Sequence, residues 1–120
     1  MAGRLTTHVL DTAQGRPAPN MAVELWLVNE HGGDRTLVKS VRTNAEGRTT
    51  EPLLLGAELK AGFYELVFGV GEYYLQLGVV TGRPPFLWDV PVRIGISDTS
   101  ATYHVPLLVS PWAYSTYRGS

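Results

Sequence analysis

Two histidines interrupt strand-like stretches of this sequence. An imidazole with a pKa near about 6.5 is the side chain best suited to moving protons around neutral pH. His8 lies in Leu5-Thr6-Thr7-His8-Val9-Leu10-Asp11, and His104 lies in Tyr103-His104-Val105-Pro106-Leu107-Leu108-Val109. Each ring has two readings: a satisfied core or interface histidine, which patterning alone favours, or a neutral base that activates water. His31, just before Gly32-Gly33, reads as an exposed turn residue. Arg48 follows the turn at Gly47, where a guanidinium is either solvated or aims several donors at an anion or a developing oxyanion. Arg118 stands two residues from the end of the chain, where tails are usually mobile. The uncharged Tyr114-Ser115-Thr116-Tyr117 ahead of it is strand-forming, however. A tail tied down by that strand brings a guanidinium, a hydroxyl and the terminal carboxylate together, a cluster suited to a small polar heterocycle.

Other chemistries find no support. The chain has no cysteine, which removes thiol catalysis, disulfides and cysteine-ligated metal sites. Ser110, His104 and Asp11 supply the residue types of a triad, but no G-x-S-x-G elbow accompanies them. Two histidines on separate strands lack the H-x-H or H-E-x-x-H spacing of a zinc site, so no metal or cofactor is expected. Gly69-Val70-Gly71 lacks the rest of a dinucleotide-binding fingerprint. A net charge of -1 gives no broad basic field for nucleic acid. The three tryptophans and six tyrosines read as core or interface residues rather than a ligand platform. No segment approaches the ~18 apolar residues of a membrane helix, and no apolar signal core opens the chain, so a cytoplasmic protein is expected.

The elements that must position these residues are strands. Period-two alternation dominates, and at 120 residues the chain is expected to form a single domain over residues 1–120. Strands are predicted over residues 5–10, 23–29, 37–43, a short stretch from Arg48, 63–70, around 90–96, 103–109 and 114–118. One helix of about two turns is expected over residues 72–77. Seven or eight short strands joined by turns suggest an antiparallel β-sandwich. If Leu5, Thr7 and Val9 face inward, His8 points outward; the same holds for His104 beside Tyr103, Val105 and Leu107. The outward neighbours Leu10, Pro106 and Leu108 are not solvated types, which suggests a subunit interface.

Four segments together resemble the transthyretin-related 5-hydroxyisourate hydrolases. Leu5-Thr6-Thr7-His8-Val9-Leu10-Asp11 is similar to their N-terminal signature. Thr43-Asn44-Ala45-Glu46-Gly47-Arg48-Thr49 resembles their arginine-bearing turn, and the segment from Tyr103 to Pro111 their second histidine segment. Tyr117-Arg118-Gly119-Ser120 matches the tetrapeptide with which they end. The resemblance implies a transthyretin-like antiparallel β-sandwich of two four-stranded sheets with one short helix. It implies catalytic roles for His8, Arg48 and His104, and substrate binding by Tyr117, Arg118, Gly119 and Ser120. It also implies a homotetramer with active sites between dimers and a small-molecule substrate, 5-hydroxyisourate. The chain departs from the family pattern over residues 86–91, and at Thr102 and Ala113, where histidine and glycine are common. The alternative is a carrier that binds small aromatic ligands in an inter-subunit channel, as transthyretin does. Such a carrier has no need of two histidines and an arginine together with a Tyr-Arg-Gly-Ser end.

Overall fold

The computed structural model describes every residue except Met1, Glu30 and Gly32. Alternation in the sequence becomes alternation in burial. Strand β1 (Arg4–Asp11) turns Leu5, Thr7, Val9 and Asp11 inward and Arg4, Thr6, His8 and Leu10 outward. Strand β8 (Thr102–Val109) buries Tyr103, Val105, Leu107 and Val109 and leaves His104 and Leu108 half-buried on its outer face. Between them in the chain come β2 (Arg16–Pro17), β3 (Ala22–Val28), β4 (Arg35–Arg42), β5 (Leu54–Leu55), β6 (Gly62–Gly69), the helix α1 (Val70–Gln76) and β7 (Asp89–Ile96). The last strand is β9 (Tyr114–Thr116). The turn expected around residues 31–34 includes Gly32 and so lies partly outside the described residues.

These strands form two sheets packed face to face. One has the order β4-β3-β6-β7, all antiparallel. The other has the order β2-β1-β8-β9, with β5 also paired to β1. Leu5, Val9, Leu25, Leu66, Phe68 and Leu107 are fully buried between them. The sandwich and its short helix are as expected, with two differences. The sheet built on β1 and β8 has five strands rather than four, because the two-residue β5 joins it. In addition, β1 and β8 run parallel, pairing Thr6 with His104 and His8 with Pro106. Alternation reports which face a residue takes, not the direction of its neighbour, so the sequence left this pairing open. The short strand expected from Arg48 is reduced to a single antiparallel bridge between Arg48 and His8. Among the described residues, no helix is long and apolar enough to cross a membrane.

The end of β1 is locked by a buried carboxylate. Asp11 is fully buried. It accepts hydrogen bonds from the backbone N–H groups of Ala13 and Gln14 at 3.0 and 3.1 Å and from Gln14 Nε2 at 3.0 Å. The hydroxyls of Tyr73 and Tyr74 on α1 donate to the same carboxylate at 2.8 and 2.9 Å. Burial, then the bond to Asp11 and its charge, hold both tyrosine hydroxyls well above the usual tyrosine range. Asp11 therefore fastens the helix to β1, a structural use rather than a place in a triad. Removing it leaves the buried Tyr73 hydroxyl without its acceptor and the Tyr74 hydroxyl with only the Val109 carbonyl at 3.2 Å, and it frees the N–H groups of the turn at Ala13 and Gln14. A buried polar group left unpaired costs ~1–3 kcal/mol. Asp11→Ala is expected to destabilise the fold by about 3 kcal/mol or more, and Tyr73→Phe by roughly 1 kcal/mol. Chemical denaturation reads both values; a loss below about 1 kcal/mol for Asp11→Ala would show that the network contributes little.

Candidate active site

The outer face of the five-stranded sheet arranges the sequence-predicted residues in two rows. In one row, Arg48 is bridged to His8, which is paired with Pro106 on β8. In the next, Thr6 is paired with His104, and His104 is bridged to Gly119 of the tail. Strand geometry sets the rows about 7 Å apart. Two histidines 96 positions apart in sequence thus share one small surface because β1 and β8 are in register.

Arg48 is placed by a tight turn over residues 44–48. The Asn44 side-chain oxygen accepts from the backbone N–H groups of Glu46 and Arg48 at 2.9 and 3.2 Å. The Asn44 N–H donates to the Arg48 carbonyl at 2.7 Å, and the Gly47 N–H to the Asn44 carbonyl at 2.9 Å. Gly47 has φ of 76°, in the left-handed region. A Cβ there would lie 2.3 Å from the Val9 carbonyl oxygen, so only glycine lets the turn lie flat on β1. The contact is closed by the Val9 N–H donating to the Gly47 carbonyl at 2.8 Å.

The same turn fixes His8. Its Nε2 stands 2.8 Å from the Glu46 carbonyl oxygen. A carbonyl oxygen only accepts, so Nε2 carries the proton and the neutral ring keeps its lone pair on Nδ1. His104 is held differently: its Nδ1 is 2.8 Å from the Thr6 hydroxyl. Burial first, then the charge of Arg48, then His8, holds the His104 pKa below the ordinary histidine value. At neutral pH this ring is therefore a neutral imidazole, available to accept a proton.

A cavity of about 590 Å³ opens over this surface, with Arg4, Thr6, Arg48, Glu51, His104 and Ser120 in its wall. The guanidinium groups of Arg4 and Arg48 and the Glu51 carboxylate stand in the same wall. His8 stands in the neighbouring row, beside Arg48. The tail divides its residues. The Gly119 N–H donates to the His104 carbonyl at 2.8 Å, which delivers Ser120 to the wall. Arg118 instead stacks 4.3 Å above the Tyr103 ring and donates to the Thr102 carbonyl at 3.2 Å, fastening the tail to the start of β8. Tyr117 is exposed. His31 is exposed beside the turn between β3 and β4, on the other sheet. Thr6, Arg4 and Glu51 were not singled out from sequence. Thr6 shares the outward face of His8, but its partner became visible only with the strand pairing. Among the described residues, no group of three or more His, Asp or Glu side chains could hold a metal ion.

The family model described as the HIUase/Transthyretin family matches residues 5–119. A 5-hydroxyisourate hydrolase of Ralstonia nicotianae is 56% identical over 98% of this chain and 99% of its own. A 5-hydroxyisourate hydrolase of Halalkalibacterium halodurans is 52% identical over the full length of both. Among solved structures, an (S)-allantoin synthase superposes with a TM-score of 0.92 at 45% identity; the match covers 99% of this chain but only 44% of that longer one. Klebsiella pneumoniae 5-hydroxyisourate hydrolase superposes with a TM-score of 0.78 at 29% identity, over 98% of this chain and 94% of its own. Sea bream transthyretin in complex with thyroxine superposes with a TM-score of 0.86 at 25% identity, over 97% of this chain and 94% of its own. The sandwich, its two-row outer face and a match running from β1 to the tail make this chain a member of the HIUase/Transthyretin family.

Proposed function

We propose that this chain hydrolyses 5-hydroxyisourate to 2-oxo-4-hydroxy-4-carboxy-5-ureidoimidazoline. The observation that carries the reading is the convergence of a neutral His104 and the Arg48 guanidinium on one cavity, with His8 bridged to Arg48 beside them. Full-length relatives that bear the name of this hydrolase support it. A carrier for aromatic ligands would want an apolar channel; the wall here is set with arginines, threonines and an imidazole.

The reaction follows from these groups. Water attacks a ring carbonyl of the six-membered portion of the substrate as His104 takes one of its protons. The carbonyl oxygen becomes an oxyanion, which Arg48 stabilises. The carbon–nitrogen bond then breaks, and the leaving ring nitrogen receives the proton from the imidazolium. The new carboxyl group ionises. His8 orients the water or relays the returning proton. Tyr117, Gly119 and Ser120 contribute substrate contacts on a tail that Arg118 fastens to the start of β8. An imidazole base and a guanidinium suffice for this chemistry, so no metal or cofactor enters. The half-buried outer residues Leu10 and Leu108 fit the further expectation that this face meets another chain in a homotetramer.

The direct experiment generates 5-hydroxyisourate with urate oxidase and follows its ultraviolet decay with and without the protein. Decay no faster than the spontaneous rate would end the proposal. In that assay His104→Asn is expected to lose about a hundredfold or more in kcat while remaining folded. Near-normal turnover would remove His104 from the mechanism. The wild-type rate should be flat above neutrality, because a lowered histidine pKa keeps the base form populated there. It should fall by about tenfold per pH unit once the pH drops below that pKa, with a midpoint under about 6.5. A midpoint above that value, or a profile flat throughout, would argue against His104 as base. Light scattering is expected to return the mass of four chains; a monomer would remove the inter-chain site.

A further inference from the structure

Thr6 lies outside the roles assigned so far, yet its hydroxyl is hydrogen-bonded to the His104 ring. The ring stands between two neighbours. Its Nδ1 edge meets the Thr6 hydroxyl at 2.8 Å. Its Cδ2 edge faces Gly119, where an added Cβ would lie 2.7 Å from that carbon. With both flanks occupied, the Cε1–Nε2 tip is the part of the ring left to face the cavity.

We infer that Thr6 is a positioning residue that sets the His104 tautomer: its hydroxyl oxygen accepts the Nδ1 proton and leaves the Nε2 lone pair directed at the substrate water. The inference rests on the reading of His104 as the base. Which nitrogen of a neutral imidazole bears the proton is decided by the partner of the other nitrogen. Without an acceptor at Nδ1, the proton is free to sit on Nε2, and the ring offers the water no lone pair. When Nε2 takes a proton from water, the Nδ1–H···O bond persists and strengthens, because its donor now belongs to a cation. The Thr6 hydroxyl proton can point into the cavity, whose wall Thr6 shares.

The backbone makes this contact dependable. Thr6 and His104 are direct partners in the parallel pairing of β1 and β8, so their side chains leave the same face side by side. The next residue clamps the opposite face: the Thr7 hydroxyl donates to the Val105 carbonyl at 2.7 Å, fully inside the sandwich. Consecutive threonines thus tie β1 to β8 on both faces at the row that carries His104.

Thr6→Val keeps the branched shape that suits a strand and removes only the hydroxyl. It is expected to lower kcat about tenfold, the scale of one orienting hydrogen bond, with KM little changed. Thr6→Ser, which restores a hydroxyl, should recover most of the rate. Nitrogen NMR of the His104 ring above its pKa gives a readout that packing alone would not move. The wild-type protein should show a protonated Nδ1, and Thr6→Val should shift the proton toward Nε2. An unchanged rate and nitrogen pattern in Thr6→Val would overturn the inference, as would a loss that Thr6→Ser shares in full. If His104→Asn retains activity, the base assignment fails on its own, and the nitrogen spectrum still decides whether Thr6 sets the tautomer.

Discussion

The site depends on the in-register parallel pairing of β1 with β8. Thr6 lies against His104 and His8 against Pro106. A slip of one residue would send the partners of both histidines to the opposite face, since side chains alternate along a strand. The register is held on the inner face by fully buried Leu5, Val9 and Leu107 and by the Thr7 bond to β8. The Asp11 cluster holds the far end. No buried side-chain nitrogen or oxygen among the described residues lacks a hydrogen-bond partner. The interior is therefore satisfied as well as packed, which leaves the outer face to carry polar groups on a stiff support.

The edge of β1 away from β8 brings Arg48 to the site. β8 occupies one edge; the other is covered in turn by β5, by the bridge at Arg48 and by β2. One short loop therefore does three things. It covers part of a sheet edge, aims a guanidinium at the cavity and offers the Glu46 carbonyl as acceptor to His8 Nε2. Gly47 makes all three compatible, because its positive φ and missing Cβ let the loop lie against the Val9 carbonyl. Position, charge and tautomer are thus coupled through five residues of backbone.

Much of this was legible in the sequence. Alternation assigned His8 and His104 to the outer face and Leu5, Val9 and Leu107 to the core, because face is a local property with period two. Asn44 through Gly47 announced a turn through residues that favour it. Partnership was not legible, since hydrophobic pattern carries no record of which strand lies alongside or in what direction. For that reason the contact between Thr6 and His104 stayed hidden although both residues were in view. The tail illustrates the same gap. Its strand-forming residues implied that it would be tied down. The division between Ser120 in the cavity wall and Arg118 on the Tyr103 ring depends on the register of β8 with β9, which composition does not encode.

Arg48 has two electrostatic effects in the proposed reaction, and they act in sequence. Before proton transfer, its charge adds to burial in keeping His104 neutral, so the base is ready at physiological pH. After transfer, the same guanidinium faces a new imidazolium, and the repulsion that lowered the pKa now favours release of the proton. In the proposed reaction the oxyanion formed in the same step is stabilised by the positive charge of both groups. A fixed positive charge therefore weakens the base slightly at the outset and strengthens the resulting acid when the leaving nitrogen needs a proton. This cycle works only if the ring presents the same nitrogen for both transfers. The opposing contacts of Thr6 and Gly119 meet that requirement by leaving the ring one open edge.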